Sequence, residues 1–256
     1  MMGYTHEAIG AGGAVAALLL ASSGTATPAA FLIAAVAGTI GGIIVDADVV
    51  DDKDRGITDG SRSRLAAIGI LIVGVILDCA LNLGIFSDII FHQAASIVGV
   101  FSLIALSLIA HFIGIFVGHR TFSHSLWFII LATICVCFIC PMATAYFFIG
   151  AILHLLFDLL NYQAPNKNGS WHGVWLLYPI KIGEGIALRK CKAAGKGNKI
   201  IYFVGMIIYA VLSIYYLVLM KDAKMAVVPL VIFFSSAAFF HFVRVKSERE
   251  ILNKGY

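Results

Sequence analysis

The sequence predicts an all-α, polytopic integral membrane bundle of about eight transmembrane helices, and three observations carry that prediction. Of the 256 residues, 61% are hydrophobic and only 12% are charged, against about 25% charged and 45–50% apolar in a typical soluble domain. Mean hydropathy is +0.96. The apolar residues gather into runs near the ~20 residues that cross a bilayer core. A soluble domain must cover itself with polar groups, and a disordered chain is poor in aliphatic and aromatic residues. Both classes are excluded.

The runs fall at roughly 8–21, 28–45, 65–86, 89–117, 125–140, 142–161, 200–220 and 226–243. The first and fifth are short, and Pro141 separates the fifth from the sixth, so six or seven spans are the alternative counts. Gly, Ser, Thr and Pro cluster at Ser22–Pro28 and mark the first turn. The first run, with small residues at Ala21–Ala26, has the outline of a signal-peptide core. No Lys or Arg precedes it, so it is read as a span.

A net charge of +4 would suit a nucleic-acid binder, but the charges sit in short loops between apolar runs, so the expected partner is the lipid bilayer and no nucleic acid is expected. With eight spans, 16 of the 18 Lys and Arg residues lie on the side of the N-terminus, loops 46–64, 118–124 and 162–199, and the C-terminal tail. The positive-inside rule makes that side cytoplasmic. Five cysteines make no disulfide framework: Cys79, Cys135, Cys137 and Cys140 fall in apolar runs, and Cys191 in a basic loop. Nothing in the sequence fixes the oligomeric state.

The polar residues able to bind a metal are not scattered. His6 precedes the first span, Asp46 and Asp48 close the second, His119 and His124 lie between the fourth and fifth, and His154 and Asp158 end the sixth. All map to one end of the bundle. His154 and Asp158 are four residues apart in an apolar helix and share a face. An ionisable pair inside a membrane helix is costly and marks function, although mutual hydrogen bonding is an equal explanation for that pair alone.

Gly118 to Ser125 is the most specific segment. Imidazoles suit Zn²⁺, and added carboxylates keep a site hard enough for Mn²⁺ or Fe²⁺. Arg120 between the histidines is placed to hold a phosphate or carboxylate, and Ser123 is expected to N-cap the next helix. Five carboxylates between Asp46 and Asp54 oppose a helix dipole and call for a compensating cation. Asp52 and Asp54 read as solvated, whereas Asp46 and Asp48 are the ligand candidates. His111 and Asp78 read as supporting partners or interhelical hydrogen bonders. His92 and His241 read as structural, His172 as an optional ligand, and Trp171, Trp175 and Tyr178 as an interfacial belt.

Together these segments resemble the YdjM-like family of inner-membrane proteins, described as membrane-bound metal-dependent hydrolases. The resemblance rests on Thr5-His6, Asp46-Ala47-Asp48, the run His119 to Ser125, the His154-x-x-x-Asp158 pair, and Gly173 to Pro179. It covers residues 1 to about 180 in family order. Thr121 stands where the family has Gly, and Val45 and Val49 flank the acidic motif where it has Pro and His. The family is distantly similar to zinc-dependent phospholipases C, all-helical enzymes with several metals.

The resemblance implies a metal-site region at 1–180, followed by a basic loop at 181–199 and a C-terminal hairpin and tail at 200–256. It implies a bacterial inner-membrane hydrolase that acts on a phosphoester; the charge distribution puts both termini in the cytoplasm, and a site at membrane depth favours a lipid or lipid-linked substrate. His6, Asp46, Asp48, His119, His124, His154 and Asp158 would hold one to three divalent ions, Zn first and Mn or Fe next, and Arg120 would serve catalysis. Two other classes compete: a transporter or channel for a metal ion or small solute, and a non-catalytic membrane scaffold. Polar residues confined to one face, with no inverted repeat, count against transport.

Overall fold

The computed structural model describes residues 2–23, 25–48, 59–85, 94–117, 119–161, 164–165, 171–180, 185–188, 190, 195–220 and 225–253. Among these, eight α-helices run in order: α1 (Gly3–Ala21), α2 (Pro28–Ile44), α3 (Asp59–Leu81), α4 (Ala94–Val117), α5 (Leu126–Ile139), α6 (Thr144–Leu159), α7 (Lys196–Leu219) and α8 (Val227–Asn253). A two-residue antiparallel pairing, Ala164–Pro165 with Trp171–His172, is the one β-ladder described. The expected side chains of Trp171 and His172, and Asp52, Asp54, His92 and Cys191, lie outside the described residues.

Among the described residues, six helical segments are long and apolar enough to cross a membrane. The two expected spans outside that set have different reasons. Helix α5 has only 14 residues. Helix α1 has 19, but it is rich in Gly and Ala and is buried along nearly its whole length. Its neighbours are α2, α6 and α7 rather than lipid, so it needs no strongly apolar surface.

Small residues make that enclosure possible. A methyl group at Gly10 would overlap the carbonyl of Gly38, and one at Gly150 would overlap the same carbonyl. At Gly42 the obstruction would be the carbonyl oxygen of His6, 2.5 Å away. Backbones approach this closely in membrane bundles when Gly-x-x-x-Gly spacing, here Gly38 to Gly42, presents a flat helix face. Helices α1, α2 and α6 thereby form the centre, with Phe31, Phe147 and Ala34 buried among them.

Local chemistry sets the element ends. Thr27 caps α2, its hydroxyl accepting from the Ala30 N–H, with Pro28 at the first helical position. Ser125, rather than the expected Ser123, caps α5 by accepting from the Phe128 N–H at 3.2 Å. Asp78 accepts from the Ile85 N–H at 2.9 Å beyond the end of α3, a local role away from the polar layer. After Ile44 the chain tightens into a 3₁₀ turn, Val45–Asp48.

The helices alternate in direction. Asn198, at the start of α7, accepts from the Met2 N–H and the Thr5 hydroxyl and donates to the Tyr4 hydroxyl. Arg62 of α3 pairs with Glu250 of α8, and Lys199 of α7 with Glu248. At the other end, the Tyr216 hydroxyl donates to the Ala26 carbonyl at 2.9 Å. The starts of α1, α3 and α7 therefore share one end with the close of α8.

Candidate metal centre

Four local structures deliver side chains to that end. The first turns of α1 present His6, and the 3₁₀ turn after α2 presents Asp46 and Asp48. Asp46 has φ −84° and ψ 19°, in the bridge region frequent at active sites. The turn before α5 carries His119, Arg120 and His124, and the last turns of α6 carry His154 and Asp158. Arg120 adopts φ 66°, a left-handed conformation uncommon for a side chain of its size. Its N–H donates to Asp48 Oδ2 at 3.2 Å, so the strained turn is fastened to the acidic motif.

The side chains form three overlapping groups, each with ligand atoms within 4.8 Å of one another: Asp46, Asp48, His119 and His124; His6, Asp46 and His154; and His124, His154 and Asp158. All seven histidines and aspartates singled out from the sequence fall within these groups. No cysteine belongs to one among the described residues. His6, His124, His154 and Asp158 are 0–1% exposed, whereas the His119 side chain is 33% exposed and forms the rim.

The hydrogen bonds orient these groups. His154 Nδ1 donates to the Gly42 carbonyl at 2.6 Å, which leaves Nε2 to face Asp46 Oδ1 at 3.4 Å. His124 Nδ1 lies 3.0 Å from the Ser123 hydroxyl, and its Nε2 lies 3.3 Å from Asp158 Oδ2 and 3.6 Å from Asp46 Oδ1. His6 Nε2 is 3.2 Å from Asp158 Oδ1, and its ring stacks on His154 with centroids 3.6 Å apart. His119 Nδ1 is 2.9 Å from Asp48 Oδ1. Arg120 Nε lies 3.3 Å from Asp158 Oδ2, so the guanidinium faces inward, 7% exposed.

Two supporting residues were not apparent in the sequence. Asn161 donates to Asp158 Oδ1 at 2.8 Å. Its signal was the i, i+3 spacing at the end of α6, which places the two side chains on one face. Gly42 accepts from His154 through its backbone, which no side-chain pattern reveals. Such partners fix tautomer and ring orientation around metals. His111 of α4, expected as a supporting partner or an interhelical hydrogen bonder, lies outside the three groups.

Burial opposes the charged form of both loop histidines. At His119 the carboxylates of Asp48 and Asp46 outweigh it and raise the pKa above the ordinary histidine value. At His124 burial wins and the pKa is lowered, which keeps a neutral imidazole of the kind that ligates metals.

The donor set fits a divalent cation. Nε2 of His6, His124 and His154 are buried without a hydrogen-bond partner among the described residues. His154 Nε2 and the Asp46 carboxylate are both acceptors once Nδ1 carries the ring proton, and a cation or an added proton between them reconciles that contact. Three buried carboxylates beside one guanidinium also leave negative charge to be compensated. Mixed imidazole and carboxylate ligands suit Zn²⁺, Mn²⁺ or Fe²⁺.

No significant match was found among curated proteins or among solved structures. Residues 1–246 match the family described as YdjM inner membrane protein, so the match extends past the motif-bearing segments through α7 and most of α8. With six membrane-length apolar helices and this coverage, the chain is an integral membrane protein belonging to the YdjM inner membrane protein family.

Proposed function

We propose that this protein is a membrane-embedded, metal-dependent hydrolase of phosphoesters, working at the cytoplasmic face. One observation carries the reading: seven His and Asp side chains from distant segments converge in a buried layer as three overlapping ligand groups that share Asp46, His124 and His154. A helix bundle gains nothing in packing from such a layer, because each buried polar group must recover its lost hydration.

His6, Asp46, Asp48, His119, His124, His154 and Asp158 would hold one to three ions. A bound divalent cation supplies an activated water at neutral pH and polarises a phosphoryl oxygen. Arg120, fixed between Asp48 and Asp158, orients the anionic group. Asn161 holds Asp158 in place, and Gly42 keeps the His154 lone pair turned inward. His119, the exposed member, marks the side from which substrate arrives. The excess of Lys and Arg at this end supports a cytoplasmic location.

The test is elemental analysis of detergent-purified protein beside the His119→Ala/His124→Ala variant, followed by a phosphoester screen. Zn, Mn or Fe bound by the wild type and lost in the variant, with metal-dependent turnover, supports the reading. Protein that is metal-free and fails to take up added metal defeats it, and favours a scaffold or a solute transporter.

A further inference from the structure

An apolar groove of about 890 Å³ lies between α2, α3 and α4, floored in part by the end of α5 and the start of α6. It arises because α4 stands away from the centre. That helix packs principally on α5 and on the Val45–Asp48 turn, where Gly114 lets it come within contact of Asp48. Further along, Leu32, Val36 and Ile40 of α2 face Leu103 and Leu108 of α4 across the gap, with Leu71 of α3 to one side. The volume lies within the ~300–1,000 Å³ of small-molecule sites.

The ends of the groove differ. One closes against Leu32, Ile85 and Cys140, which are apolar. The other reaches Ala47, the residue between Asp46 and Asp48, and there the lining includes Arg64 and His111. From Leu32 to Ala47 the helical rise is about 22 Å, longer than half of a ~30 Å hydrocarbon core. An extended chain lying there would run from the ligand end past the middle of the bilayer.

We infer that this groove seats the hydrocarbon chain of a lipid phosphate that enters sideways from the bilayer and presents its phosphate to the Asp46–Asp48 end. Three features select that occupant over a protein helix or bulk lipid. The groove is continuous with the acidic turn through Ala47. Its only fixed positive charge, among the described lining residues, is Arg64 at that end. It opens between α3 and α4, whose outer faces carry exposed Ile72, Ile76, Phe101 and Phe112 and so meet lipid. For the fate of the phosphate, the inference rests on the hydrolase reading; chain binding stands by itself.

The experiment is photolabelling of the reconstituted full chain in phosphatidylcholine vesicles containing a minor fraction of phosphatidic acid with a diazirine on one acyl chain. The comparator is phosphatidylcholine carrying the same diazirine chain. Peptide mapping should place the phosphatidic acid label on α2, α3 and the inner face of α4, several-fold above the phosphatidylcholine probe. Ile104→Trp and, independently, Leu108→Trp should each remove that preference, since both fill the gap from a helix that already faces lipid. Arg64→Gln should reduce the preference for phosphatidic acid while chain labelling persists. Equal labelling by both probes, or labelling spread over α7 and α8 and indifferent to both tryptophans, overturns the inference. Repeating the labelling with chelator separates the two readings: groove labelling that survives while turnover is absent leaves the groove and removes the hydrolase. Turnover of a water-soluble phosphoester without groove labelling does the reverse.

Discussion

His154 donates its Nδ1 proton to the carbonyl oxygen of Gly42 at 2.6 Å, across the crossing of α6 and α2. One contact therefore serves two ends: it ties the helices and it turns the Nε2 lone pair toward Asp46. The same Gly42 is also a point of close approach to α1, against the His6 carbonyl.

Gly42→Ala is expected to destabilise the bundle, because the added methyl meets backbone rather than a yielding side chain. Overpacking typically costs about 1–3 kcal/mol. Thermal unfolding in detergent should show a lower midpoint, and metal content should fall with it. A wild-type midpoint would mean that the crossing is looser than described.

His124→Ala and Asp158→Ala should each lower the metal bound per chain, since each removes a member of one or more of the ligand groups. The measurement is elemental analysis after gel filtration, with retention of native helicity as the control. Unchanged stoichiometry would take that residue out of the site.

For Arg120 the expectation is different. Arg120→Gln should keep its metal and lose turnover of a phosphoester by about 10²-fold, the scale of removing one preorganised donor. Loss of metal with loss of turnover would instead make the guanidinium a structural partner of Asp158.

Metal should also stabilise the fold. A ligand at a hundred times its Kd adds about 2.7 kcal/mol, so chelated protein should melt at a lower temperature and recover on addition of Zn²⁺ or Mn²⁺. His6→Ala should blunt that recovery, as it removes a ligand supplied by α1.

Orientation is open to a direct assay. Cys191 lies in the basic 162–199 loop, whereas the other four cysteines sit in apolar helices or at their ends. A membrane-impermeant maleimide should label Cys191 in inverted vesicles and not in intact spheroplasts. The opposite pattern would reverse the topology.

Much of this was legible in the chain because hydrocarbon is a severe solvent. A His or Asp among Ile and Leu has few inexpensive reasons to be there, so His154 and Asp158 stood out before any geometry, whereas His6, between Thr5 and Glu7, gained weight only from mapping to the same layer. Element ends were harder. The sequence pointed to Ser123 as the cap of α5, but the extended backbone at Ser125, φ −94° and ψ 153°, gives that role to Ser125. The enclosure of α1 and the stand-off of α4 depend on which helices meet. Pattern within a single helix does not contain that, and the groove was invisible for the same reason.

Helix α1 has almost no face left for lipid, and the groups that anchor its first turn come from Asn198, at the start of α7. A chain released before α7 is made would thus leave His6 on a helix without its latch. Assembly of the polar layer is in this sense a late event in biosynthesis: the residue that latches the start of α1 is supplied from the far end of the polypeptide.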